Sequence, residues 1–267
     1  MTDVTVGSIT MEERLGNSGD VYYFHPVEMW SLNSLGLPNL GLPVYLQILP
    51  EMRTRVHAAG KNLRVSVAGF SPKEYAILAQ QCLESGADEI ELNLGCPNAW
   101  GRDGQKPIAS YYPELTAAIL EEVEKAVRPT KVSVKISPVD KLDILEKLAN
   151  VILDYPFISH IVATNTIPNQ ERLREDGRPA VSFDSGKHLG GLAGDPIRNE
   201  THRVIDTLRD LLPEQNFTAV GGIFTGVHAL GYLEKDNTVG FQSATGYIEY
   251  GPKLFSDIFQ ELSELVS

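Results

Sequence analysis

A thiol, two carboxylates and two amides crowd into the run EIELNLGCPN, from Glu89 to Asn98. Ile90, Leu92 and Leu94 alternate with Glu91 and Asn93, the period of a strand with one apolar and one polar face. The pattern breaks at Gly95, and Cys96, Pro97 and Asn98 follow. The C-terminal end of a strand is where barrels and doubly wound sheets carry their chemistry. A thiol there can take a proton if its surroundings favour the thiolate. A lone cysteine can equally be a small buried hydrophobe, so this segment by itself supports both readings.

Two further strand-like runs end in polar groups. In KVSVKIS, Val132, Val134 and Ile136 share one face, and Ser133 and Lys135 the other. HIVATNT ends at Asn165 and Thr166. Aligning the polar faces brings Asn93, Lys135 and Asn165 to the C-terminal ends of three consecutive strands. A buried lysine must be paired or lose its charge, and Glu91 is a candidate partner. Glycine-bearing segments come last: HLGGLAGDP with Gly190, Gly191 and Gly194, GGI at Gly221 and Gly222, and SAT at 243–245 before Gly246. Each alone is an ordinary turn former. At the ends of the last strands, their backbone N–H groups point to a phosphate-bearing cofactor. The six histidines and two cysteines show no metal or disulfide spacing, so no metal site is expected.

Composition narrows the partners. The chain has 267 residues and a formal net charge of −12, which argues against nucleic acid. No apolar run approaches the roughly 20 residues of a membrane span. The start, MTDVTVGSITMEERLG, lacks the basic and apolar regions of a secretory signal. A small-molecule substrate and a cytoplasmic setting are expected.

Elements that position these groups alternate along the chain. Strand-like runs lie near 4–8, 63–70, 89–95, 131–137, 160–166, 217–222 and 238–245. Helix-like stretches fall at 72–86, 113–127, 141–153, 197–212, 224–234 and 251–266. Ser71 before Pro72 is a helix start, and Cys82 reads as core. Residues 13–26, with Gly16-Asn17 and Gly19-Asp20, read as a hairpin. Repeated βα units at this length favour one parallel barrel. An open doubly wound sheet is the alternative, but no glycine-rich nucleotide loop follows the first strand.

The motifs resemble one family. NSLGLPN at 33–39, ELNLGCPN, VKISP, ATNT, GGLAG, AVGGI-x-TG and a closing Q-x-x-T-x-x-x-x-GP-x-x-F occur in the order of the class 1, FMN-dependent dihydroorotate dehydrogenases. The resemblance implies an α/β fold of the (β/α)8 TIM-barrel type. Because it begins at the family's second strand, that barrel is expected without its first strand and helix. It also implies one FMN-binding domain over 1–267 and a homodimer.

Carried over by position, Cys96 is the base that takes the proton from carbon 5 of dihydroorotate, while the hydride from carbon 6 goes to flavin N5. Lys135 stabilises the reduced ring. Asn33, Asn93, Asn98, Asn165 and Thr166 hold the pyrimidine. Ser8, Asn93, Lys135, Gly191, Gly221, Gly222, Ala244 and Thr245 contact FMN. The stretch 99–107 is the lid over the substrate. Three positions depart from the pattern: Gly7 stands where the family has a lysine, Gly95 where it has a serine, and the lid carries extra residues. Two other readings therefore stay open, a related FMN-dependent enzyme acting on another pyrimidine or enone, and a flavin-poor non-catalytic homologue.

Overall fold

The computed structural model of the chain describes residues 2–96, 100–101, 104–183 and 186–267. Seven parallel strands form its main sheet: β1 (Asp3–Ile9), β2 (Asn62–Val67), β3 (Glu89–Asn93), β4 (Val132–Ile136), β5 (Ile158–Ala163), β6 (Asn216–Val220) and β7 (Thr238–Gln242). They pair in strict chain order, with no reversal. A doubly wound sheet reverses its order at a switch point, so this order is that of a barrel. The sheet is also rolled: Gln242 on β7 hydrogen-bonds Glu91 on β3, although β4, β5 and β6 lie between them. Among the described residues β1 and β7 are the two edges and do not pair with each other.

Helices α1 (Leu42–Ala58), α2 (Pro72–Glu84), α3 (Pro113–Val127), α4 (Leu142–Leu153), α5 (Arg198–Leu211), α6 (Gly226–Leu233), α7 (Thr245–Tyr250) and α8 (Lys253–Leu265) complete the α/β units. One strand face, with Val65, Leu92, Val134 and Ile161, joins Leu78, Cys82, Leu120 and Leu148 of the helices in the main core. Each such aliphatic side chain contributes about 1.5–3 kcal/mol on burial. Cys82 lies in this core as expected, and burial pushes its thiol up to about 12. With the apolar face turned to the helices, the polar face of each strand lines the lumen.

The sequence pattern leaves α1 unseen because only Leu42 and Leu49 of it are buried, and Pro50 interrupts its hydrogen bonding. A second, four-stranded antiparallel sheet also replaces two expectations. Trp30–Asn33 pairs with Tyr22–His25 on one side and Gly190–Gly194 on the other, which in turn pairs with Ile167–Gln170. The hairpin thus runs from Tyr22 to Asn33 rather than within 13–26. Ring contacts of Trp30 with Tyr23 (5.6 Å) and His25 (5.2 Å) favour that pairing. The Gly19–Asp20 turn signal instead pairs with Ser182–Phe183. GGLAG is a strand of this sheet, not a loop after a barrel strand.

Arg64, Glu89 and His160 cluster in the lower lumen. Arg64 Nη2 bonds Glu89 Oε2 at 2.8 Å, and His160 Nε2 lies 3.5 Å from Glu89 Oε1. Burial holds the His160 pKa below its ordinary value against the pull of Glu89; burial does the same for His202 and His228. A histidine whose pKa is lower folded than unfolded resists protonation, so stability falls as pH drops below the unfolded value of about 6.5. Denaturant midpoints measured from pH 7.5 to 5 should decline, and the His160→Asn variant should decline less.

Candidate active site

Four polar side chains meet above the C-terminal ends of β1, β2, β3 and β5. Asn93 Nδ2 donates to Ser8 Oγ (2.8 Å), which is hydrogen-bonded to Ser66 Oγ (2.9 Å). Asn93 Oδ1 accepts from Asn165 Nδ2 (3.2 Å) and from the Gly95 N–H (3.2 Å). Asn165 Oδ1 accepts the Thr166 N–H at 2.8 Å. These contacts fix which way both amides face. An amide carries two N–H donors, so each keeps one beyond those used here. Asn33, on the antiparallel sheet, donates to the Gly191 carbonyl at 3.3 Å.

Asn93 is also held through its backbone. Its carbonyl accepts Tyr75 OH at 2.7 Å, and Lys106 Nζ donates to that same Tyr75 oxygen at 2.9 Å. Lys106 is only 7 % exposed and its ammonium lies 5.3 Å from the Tyr75 ring centroid. It is a buried cation satisfied by a ring and a hydroxyl. Nothing in the sequence pattern singles it out, because it sits within the lid segment 99–107, which has no periodicity.

Lys135 projects into the same lumen. Its Nζ donates to Gln242 Oε1 (3.2 Å) and lies 3.9 Å from Glu91 Oε1, so the partner expected from sequence is present. Beyond it opens a cleft between β5, β6 and β7. Lys135, Asn165, Thr166, Gly221, Gly222, Ala244 and Thr245 all line it. Gly222 has φ +62°, and a Cβ there would stand 2.9 Å from the Gly194 carbonyl. Two links tie α7 to the antiparallel sheet, Ser31 Oγ to Thr245 Oγ1 and Tyr22 OH to Glu249 Oε1, each 2.8 Å.

Thr166 Oγ1 is buried without a hydrogen-bond partner among the described residues. A buried hydroxyl left unpaired costs about 1–3 kcal/mol, which a ligand in the cleft would relieve. Thr166→Val is therefore expected to keep or raise the melting temperature of the ligand-free protein while weakening ligand binding several-fold, read by calorimetry and titration.

Some expected site residues fall elsewhere. Gly191 lies in the antiparallel sheet opposite Asn33 and does not line the cleft, where Ala193 and Gly194 stand instead. The pairing of Gly190–Gly194 as a strand turns Gly191 into a ladder position. Ser8 reaches the site through Asn93 and Ser66. Asn98 lies outside the described residues, as do residue 97 and residues 99 and 102–103 of the lid segment; Trp100–Gly101 and Gly104–Gln105 form a short antiparallel ribbon. Cys96 is 8 % exposed at the end of β3.

One feature escaped the sequence reading. In NSLGLPN, the Leu35, Gly36 and Leu37 carbonyls accept from Asn17 N–H, Arg14 Nε and Asn39 Nδ2. Across a planar trans peptide the next N–H points opposite to the carbonyl. The Gly36 and Leu37 N–H groups therefore face away from that wall, with φ of +77° and +60°. Successive N–H groups in such a conformation make a concavity for an anion. The Leu-Gly-Leu-Pro turn was the available signal.

The departures at Gly7 and Gly95 have steric reasons. Gly7 has φ +120°, and a Cβ there would lie 2.3 Å from the Ser66 carbonyl oxygen. A Cβ at Gly95 would stand 2.8 Å from Ser137 N and 2.9 Å from Asn165 Cβ. Ser137 Oγ donates to the Gly95 carbonyl at 2.8 Å, which holds the turn into Cys96.

Comparison with known proteins agrees with this geometry. The family model described as dihydroorotate dehydrogenase matches residues 1–266. Dihydroorotate dehydrogenase A (fumarate) of Lactococcus lactis subsp. lactis is 30% identical over 262 residues, covering 97% of this chain and 80% of that protein. Dihydroorotate dehydrogenase (fumarate) of Trypanosoma brucei brucei is 26% identical over 275 residues, covering 100% and 84%. The crystal structure of DHODH from Eimeria tenella, in complex with ferulenol, matches the fold with a TM-score of 0.80 at 20% identity, over 98% of this chain and 74% of that one. The chain belongs to the dihydroorotate dehydrogenase family, and its curated relatives mark the class 1 branch.

Proposed function

We propose that this protein oxidises dihydroorotate to orotate, with FMN in the cleft between β5, β6 and β7 and Cys96 as the base. Family membership makes the chain an oxidoreductase acting on a CH–CH bond. The reading rests above all on one junction: Asn165 and Thr166 belong both to the amide network and to the cleft lining. A ligand held by the amides would therefore lie against one held in the cleft.

The residues present suit FMN. The backbone at 221–222 packs so closely that a Cβ would strike Thr201 Oγ1 (2.3 Å) or the Gly194 carbonyl (2.9 Å), and it would present its N–H groups to a phosphate together with those of Ala244 and Thr245 at the start of α7. Thr166 has an unsatisfied hydroxyl, and Lys135 places a cation at the cleft wall. FMN, when bound, supplies the two-electron acceptor for the hydride leaving carbon 6.

The chain does the rest. Asn33, Asn93 and Asn165 present amide donors and acceptors to the N–H and C=O edges of a pyrimidine, and Asn98 would join them. The Gly36 and Leu37 N–H groups would take the substrate carboxylate. Tyr75, Lys106 and Ser8 hold Asn93 from behind, so its orientation is set before the ligand arrives. Cys96 would remove the proton from carbon 5. Gly7, which brings no charge where the family pattern has a lysine, favours a second reading in which a neutral dihydropyrimidine is the substrate. FMN-loaded protein given dihydroorotate and an acceptor dye separates the two. Orotate found by chromatography supports the first; no orotate, with turnover of a neutral dihydropyrimidine, replaces it with the second.

A further inference from the structure

We propose that Glu91 and Gln242 are positioning residues for Lys135, and that the buried Glu91 carboxylate sets how much of the lysine's charge a flavin in the cleft feels. The inference rests on the flavin reading above. Gln242 takes Lys135 Nζ on its amide oxygen at 3.2 Å and gives its N–H to Glu91 Oε2 at 2.9 Å. The opposite amide orientation would set N–H against ammonium and oxygen against carboxylate, so the neighbours dictate it. The three residues come from β7, β3 and β4, and the bonds cross the lumen.

Exposure and spacing give the trio a direction. The Glu91 side chain is 2% exposed and that of Lys135 18%, so the carboxylate lies behind and the ammonium toward the cleft. Glu91 Oε1 and Lys135 Nζ stand 3.9 Å apart. A closed ammonium–carboxylate contact would be about 2.7–2.9 Å. Gln242 thus acts as a spacer that keeps the ammonium from collapsing onto the carboxylate. The trio carries no net charge, and a ring that gains negative charge on reduction meets a dipole instead of a bare cation. Removing the carboxylate leaves a net positive charge beside that ring and favours its reduced form.

The test compares the midpoint potential of bound FMN at pH 6 in the wild type, in Glu91→Gln, and in the double variant Glu91→Gln, Gln242→Glu. FMN affinity is measured by fluorescence titration of each. Glu91→Gln should favour reduced over oxidised flavin about tenfold, a positive shift of about 30 mV for a two-electron couple. The double variant puts a carboxylate where Lys135 now meets an amide oxygen, and its potential should fall below wild type. Loss of packing alone would not reverse the sign between the two variants. An unmoved potential in Glu91→Gln, or the same shift in both, overturns the proposal. If Glu91→Gln does not fold, the double variant decides: a potential below wild type supports the proposal, and one at or above it overturns it. Wild-type protein that takes up no FMN at all defeats the flavin reading itself, before any variant is compared.

Discussion

Replacing Cys96 with alanine should slow dihydroorotate turnover by about 100- to 10,000-fold, the range contributed by a positioned general base. The thiol follows β3 directly, and the turn carrying it is held by the Ser137 Oγ bond to the Gly95 carbonyl and by the Gly95 N–H bond to Asn93. The thiol is thereby tied to the same asparagine that would hold the substrate. FMN affinity should be unchanged, because the cradle glycines lie on other strand ends, after β6 and β7. Cys96→Ser should keep a trace of activity that rises with pH, since a hydroxyl gives up its proton far less readily than a thiol. Anaerobic stopped-flow measurement of flavin reduction checks both variants. Reduction of Cys96→Ala at the wild-type rate would remove the thiol from the mechanism.

Writing lysine at position 7, where the family pattern carries one, should destabilise the protein instead of improving it. A Cβ at this position meets the Ser66 carbonyl oxygen at 2.3 Å, and φ is +120°. Forcing side-chain atoms into packed space costs about 1–3 kcal/mol, and an unfavourable backbone conformation about 1–3 kcal/mol more. Together that is about 2–6 kcal/mol, a large part of the 5–15 kcal/mol that holds an ordinary domain folded. Gly7→Ala should carry most of the same penalty, since the clash begins at Cβ. Urea unfolding of both variants checks this; a Gly7→Lys protein with the wild-type midpoint would mean that β1 yields easily and that glycine there has no steric cause.

Much of the barrel was legible because its signals are local. The alternation in EIELN, VSVKI and HIVA fixes which face of each strand is polar, and the lumen inherits that face. That is why Asn93, Lys135 and Asn165 meet as expected, and why Lys135 finds Glu91. The antiparallel sheet is not legible as a whole, because its two central strands, Trp30–Asn33 and Gly190–Gly194, pair across more than 150 residues of chain. Glycines in a strand look like glycines in a turn, so the pattern around Gly191 reads as a loop although Gly190–Gly194 is a strand. Long-range side-chain contacts are equally silent in sequence. Neither the Lys106–Tyr75–Asn93 chain nor the Gln242 bridge has a spacing that announces it.

The most direct test is a visible spectrum of FMN-loaded protein, recorded without oxygen before and after dihydroorotate is added. The expected result is loss of the oxidised flavin absorption together with formation of orotate. Flavin that binds and stays oxidised would contradict dihydroorotate as substrate, and protein that takes up no flavin would contradict the cleft between β5, β6 and β7 as a cofactor site.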